Sequence, residues 1–88
     1  MVNSQRLLEA VREILLREWD PIGVAHNPDC SNEYDRYART ISRYLSDGID
    51  GYKLTAYLSQ VQTVEMGLSS VDKERDKAIA RLLLSLMD

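Results

Sequence analysis

The chain reads as an all-α domain: four helices in a compact arrangement, with one long ordered loop between helices 1 and 2. Three observations predict this. Apolar residues return at three- and four-residue steps in four separate stretches, the spacing of one helical face. Turn-forming pairs stand between the stretches, namely Asp20-Pro21, Asp47-Gly48 and Met66-Gly67. No segment alternates polar and apolar residues with β-branched enrichment, so no strand is expected.

The first helix is expected from about Ser4 to Glu18. Leu7, Leu8, Val11, Ile14 and Leu15 share one face, and Trp19, the only tryptophan, extends it by a turn. Asn3 or Ser4 would cap the start. The opposite face carries Arg6, Glu9, Arg12, Glu13, Arg17 and Glu18. Glu9 with Arg12 and Glu13 with Arg17 have the spacing of helix-surface ion pairs.

Asp20-Pro21 stops this helix, because proline disfavours helical geometry in the residue before it. Gly23 permits a turn, and Asn27, Pro28, Asp29 and Ser31 continue the irregular segment. Ile22 and Val24, with Trp19, offer apolar anchors, so residues 20–31 read as an ordered loop. Trp19 would fasten the end of the first helix to the core, making this stretch a structural joint.

The second helix begins near Asn32, capped by Ser31 or Asn32, with Glu33 and Asp35 in its first turn, where the helix dipole favours negative charge. Tyr34, Tyr37, Ala38, Ile41, Tyr44 and Leu45 form its apolar stripe, and Gly48 ends it. The third helix is expected from about Gly51 to Glu65, capped by Asp50. Leu54, Tyr57, Leu58, Val61 and Val64 are spaced for burial, and Gly67 is the stop. Ser69, with Asp72 three residues on, offers a cap for a last helix from about Val71 to Met87. Ala78, Ile79, Leu82, Leu83 and Leu86 form its face. Leu84 and Met87 widen that face, which predicts the most buried helix of the four. The short turns between the last three helices predict antiparallel neighbours.

Composition bounds the rest. Residues 1–88 make a single domain of ordinary globular composition, with 44% hydrophobic and 28% charged residues. A chain of this size buries only roughly 60–65% of the surface it exposes when unfolded, so modest stability is expected. The net charge of −3 argues against a general nucleic-acid binder. The single cysteine, Cys30, excludes an internal disulfide and fits a reducing compartment. No stretch has the layout of a signal peptide or the length of a membrane span, so the expected location is the cytoplasm.

Three motifs in order carry a resemblance over most of the chain. Leu16 to Val24 contains Glu18-Trp19-Asp20-Pro21; Glu33-Tyr34-Asp35-Arg36-Tyr37 follows; Met66-Gly67-Leu68 comes third. This pattern resembles a group of small bacterial helical proteins with a Glu-Trp-Asp-Pro loop and a Glu-Tyr-Asp-x-Tyr motif. The resemblance implies a helical fold, and for some proteins of this general kind a role as immunity or accessory partners. It implies no activity and no ligand residues.

Ligand-type side chains gather only around His26, Cys30, Asp29 and Glu33. With one His and one Cys in the chain, a transition-metal site lacks its usual N and S donors, and a polar turn is the better reading. A Cys-His nucleophilic pair has no evident oxyanion donor beside it. Asp20, Glu33 and Asp35 would form a carboxylate cluster if brought together, but an Asx turn and a helix N-terminus explain them more simply. No phosphate-binding loop or Ser-His-Asp set is present. No cofactor, no metal and no enzymatic activity are therefore expected.

The second helix carries the more useful asymmetry. Arg36, Arg39 and Arg43 share one face, opposite Tyr34, Ala38, Ile41 and Leu45. Tyr37 and Tyr44 lie between the two faces, seven residues apart and nearly in line. Tyrosines beside arginines have the composition of a protein-interaction hot spot, and the bland alternative is a solvated helix with tyrosines at the core boundary. The reading is a non-enzymatic protein-interaction module that binds another protein through Arg36, Tyr37, Arg39, Arg43 and Tyr44. An immunity or inhibitor protein blocking a toxin or enzyme is its most concrete form. The alternative is a nucleic-acid-associated accessory module, with the arginines on phosphates and the tyrosines stacking on bases.

Overall fold

The computed structural model describes residues 4–19 and 34–87. It is all-α. The first helix, α1, spans Ser4–Ile14 and runs on into a π-helical turn, Leu15–Trp19. Next come α2 at Asp35–Ser46 and α3 at Gly51–Gln60, which also ends in a π-helical turn, Val61–Glu65. The last helix, α4, spans Lys73–Ser85. Among the described residues there is no strand, and no helix is long and apolar enough to cross a membrane. The expected loop at residues 20–31 and the caps proposed at Asn3, Ser31 and Asn32 lie outside the described residues.

The π turns follow from residue spacing. Leu7, Val11, Leu15 and Trp19 are all buried and all four apart. A step of four overshoots one α-helical turn by about 40°, so on a straight α-helix the series would slide round the cylinder. Widening the last turn to i→i+5 hydrogen bonding, as π turns do, brings Leu15 and Trp19 back onto one line. The same device ends α3, where Leu54, Leu58 and Gln62 are buried at four-residue steps. The wide turn swings Gln62 inward and turns Val64 out. Val64, expected in the core, is 67% exposed.

The helices associate as two close pairs, α1 with α2 and α3 with α4, and α1 with its π turn also packs on α4. α3 and α4 run antiparallel, as expected. Gln62, past the end of α3, reaches Asp76 near the start of α4, while a Cβ on Gly51 would lie 3.4 Å from Leu84 at the other end. α2 and α3 meet chiefly through side chains and leave a cleft between them.

One core joins all four helices: Leu7, Val11, Leu15 and Trp19 from α1 and its π turn; Tyr34 at the N-cap of α2, with Tyr37, Ala38, Ile41 and Leu45 from the helix itself; Leu54, Leu58 and Val61 from α3 and its π turn; Ile79, Ala80 and Leu83 from α4. The stripe predicted for α2 is buried, with Tyr44 at its half-exposed edge.

The last helix departs from expectation. Its buried face is Asp76, Ile79, Ala80 and Leu83, whereas Ala78 and Leu82 are exposed and Met87 lies at the surface. It is not buried all round. It also starts later: Asp72, in extended geometry, accepts from the Arg75 amide at 3.0 Å and caps the helix in place of Ser69. Asp50 caps α3 as predicted, accepting from the Lys53 amide at 2.8 Å.

Gly48 takes φ +84. The Ile49 amide donates to Tyr44 O and the Gly48 amide to Leu45 O, both at 3.1 Å, the paired bonds that close a helix through a left-handed residue.

Candidate functional site: the cleft between α2 and α3

The five residues singled out on α2 separate into three groups. Tyr37 is only 4% exposed and packs in the core, reaching the cleft wall beneath Arg36. Arg39 and Arg43 are exposed and stand outside the cleft. Arg36, Tyr37 and Tyr44 line the cleft together with Thr40, facing Tyr57, Gln60, Val61, Val64 and Glu65. Of the two tyrosines expected on this face, Tyr44 is half-exposed and Tyr37 is mostly covered. The third helix contributes another: Tyr57 meets Tyr44 edge to face, ring centroids 5.2 Å apart. Its signal in the sequence was the apolar spacing of Tyr57, which reads as burial; the ring is half-buried instead.

The cleft encloses about 360 Å³. Its upper rim is an organised charge. The Arg36 guanidinium lies 5.1 Å above the Tyr37 ring, donates to Tyr37 Oη at 3.0 Å, and sits 3.8 Å from Glu65 Oε2. Cation–π attraction and the hydrogen bond hold the arginine across the cleft end. Burial raises the Tyr57 hydroxyl above its ordinary value of 10.0, against the lowering effect of its hydrogen bond with Thr40; the neighbouring Tyr44, Tyr37 and Glu65 add to the rise. Tyr57 is therefore a neutral hydroxyl at physiological pH, able to donate or accept at the cleft wall.

A second polar assembly lies in the interior. Asp76 is fully buried. Its Oδ1 accepts from the Trp19 indole N–H at 3.0 Å, its Oδ2 from Ser59 Oγ at 2.9 Å, and Gln62 Nε2 donates to both oxygens at 3.0 and 2.8 Å. Gln62 also donates to Leu58 O, and its Oε1 accepts from Arg75 at 3.1 Å. Donors on three segments converge on one carboxyl group, and a satisfied buried polar group of this kind is a structural hub. Sequence reading passed over Asp76; the available signal was its spacing of three, four and seven from Ile79, Ala80 and Leu83.

His26, Cys30, Asp20, Asp29 and Glu33 lie outside the described residues. Asp35 lies within them, with its Oδ1 2.8 Å from Arg12 Nε, an ion pair without the alignment of a hydrogen bond. Arg12 is thus engaged with α2 instead of the expected Glu9. The expected pair of Glu13 and Arg17 is present at 2.9 Å.

Comparison with protein-family models, with characterised proteins and with solved structures returned no match to this chain.

Proposed function

We propose that this chain is a non-enzymatic protein-interaction module that receives a partner protein at the α2–α3 cleft. The observation that carries the reading is the edge-to-face pair of Tyr44 and Tyr57, left half-exposed at an open cleft with Val64 beside it and Arg36 and Glu65 at its rim. Rigid aromatic rings with an apolar neighbour supply contact area at little entropic cost, and rim charges steer the encounter. The anchors are Tyr44 and Arg36, with Arg39 and Arg43 as outlying cations. Inhibition of a bound enzyme or toxin by an immunity-type protein in the bacterial cytoplasm is the most specific form of this proposal.

Recognition of nucleic acid by Arg36, Arg39 and Arg43 is the weaker reading. Arg36 is already held by Tyr37 and Glu65, and the chain is acidic overall.

The test compares two baits, the wild-type chain and an Arg36→Glu/Val64→Glu variant, both positions being exposed. A protein that co-purifies with the first, and whose affinity for the second falls by about tenfold or more when both are purified, supports the cleft. Equal affinity for both baits sinks it. Binding to an oligonucleotide that weakens steeply with salt would favour the nucleic-acid reading instead.

A further inference from the structure

A second surface groove lies on the other flank of α3. At about 100° per residue, Tyr52, Thr55 and Ser59 fall on a different flank of α3 from Tyr57 and Gln60, with Ala56 at the boundary beside Gln60. These residues and α4 enclose a groove of about 570 Å³. We propose that this groove is a docking site for an acidic amphipathic helix of a partner protein.

Three features argue for that occupant. The floor is made of small residues, Gly51, Ala56 and Ala80, which let another helix approach closely. Tyr52 stands at its edge 87% exposed, a large aromatic with nothing covering it among the described residues. One wall is a line of cations, Lys73, Lys77 and Arg81, each four residues after the last.

Charge decides the chemistry of the partner. The chain carries a net −3, yet this wall presents three positive side chains in a row. Lys77 has only a loose pairing with Glu74 at 3.8 Å, and Lys73 and Arg81 have no ion pair among the described residues. The cations rise about 6 Å per step along α4, the rise between carboxylates four apart on a partner helix. A helix with Asp or Glu at four-residue steps on one edge and an apolar stripe beside them would meet the cations in register and cover the floor. A nucleic-acid backbone would satisfy the cations but leave the small-residue floor of Gly51, Ala56 and Ala80 unfilled.

The probe for the test is a fluorescein-labelled helical peptide with three glutamates at four-residue steps beside a leucine stripe. Controls are the same peptide with lysines in place of the glutamates, and a single-stranded oligothymidylate. Amide chemical-shift mapping should place the acidic peptide on Thr55, Ala56, Ser59 and Ala80. Its affinity should fall about tenfold or more in Lys73→Glu/Arg81→Glu. Ala56→Arg separates packing from charge: it fills the floor and adds a cation, so peptide binding should weaken, whereas binding driven by charge alone would strengthen. The proposal is overturned if the acidic peptide does not bind, if Ala56→Arg strengthens it, or if only the oligonucleotide binds. Shifts confined to Tyr44, Tyr57 and Val64 would overturn it too, while leaving the α2–α3 cleft intact. Circular dichroism of each variant should match the wild type, since all three positions are exposed.

Discussion

The indole N–H of Trp19 donates to Oδ1 of Asp76 at 3.0 Å, joining the end of the first helix to the start of the last across 57 residues of chain. Removing the acceptor leaves the buried Trp19 indole N–H and the Ser59 hydroxyl without this partner, and Gln62 with only Leu58 and Arg75. Asp76→Ala is expected to lower the unfolding free energy by about 2–4 kcal/mol, chiefly as the cost of unpaired buried donors. Asp76→Asn keeps one acceptor oxygen and should cost less. Urea denaturation measures both, and an Asp76→Ala effect within about 0.5 kcal/mol would mean that water or a rearrangement replaces the carboxylate.

Trp19 contributes a ring as well as a donor. The ring is buried and lies 5.5 Å from that of Tyr34, so Trp19→Ala should cost about 3–5 kcal/mol. Trp19→Phe keeps much of the packing and loses the hydrogen bond, and about 1–2 kcal/mol is expected. As the single tryptophan, Trp19 also reports on the core. Its emission should shift to the red in one step that coincides with loss of helical circular dichroism.

Two glycines should respond in opposite directions to alanine. Gly48 has φ +84 with open space where a Cβ would go, so Gly48→Ala should lose about 1–2 kcal/mol from backbone conformation alone. At Gly51, the first residue of α3, an added Cβ would make ordinary contact with Leu84 at 3.4 Å. Gly51→Ala should gain about 0.4–1 kcal/mol by restricting the unfolded chain. Thermal unfolding of the pair tests the assignment, and equal signs would refute it.

The Tyr57 hydroxyl gives the protein an alkaline weakness. Its folded-state value is raised above 10.0, first by burial, so the folded protein holds this proton more tightly than the unfolded chain. The resulting stability is complete below pH 10.0 and is lost as the pH rises through the folded value. Tyr57→Phe should therefore flatten the alkaline end of the stability–pH curve relative to wild type. Parallel curves would show that the hydroxyl titrates alike in both states.

Much of the fold was legible because apolar spacing reports directly on a buried face. Ile41 and Leu45, Leu54 and Leu58, and Ile79 and Leu83 all lie where periodicity puts them. Errors arose where a polar residue took a core position. Asp76 and Gln62 are invisible to a hydrophobic pattern, and with them went the true face of α4 and the outward turn of Val64. The site was half legible for a related reason. Periodicity places Tyr37 and Tyr44 on a boundary but cannot say which ring the neighbouring helix will cover. That depends on α3, whose Tyr57 completes the cleft. The cations of α4 were visible at four-residue steps, yet only the packing of α3 beside them makes a groove.

The convergence on Asp76 also bears on the order of assembly. Ser59 and Gln62 lie 17 and 14 residues from Asp76, but Trp19 lies 57 away. Closing the longer loop costs more chain entropy, and the Trp19 hydrogen bond is gained only when the whole first helix docks with Leu7, Val11 and Leu15 on the core. The α3–α4 hairpin is therefore the part of the molecule best placed to form first, with the first helix latching onto it late. On that order, Trp19→Phe should act mainly by speeding unfolding, and Leu58→Ala by slowing folding as well.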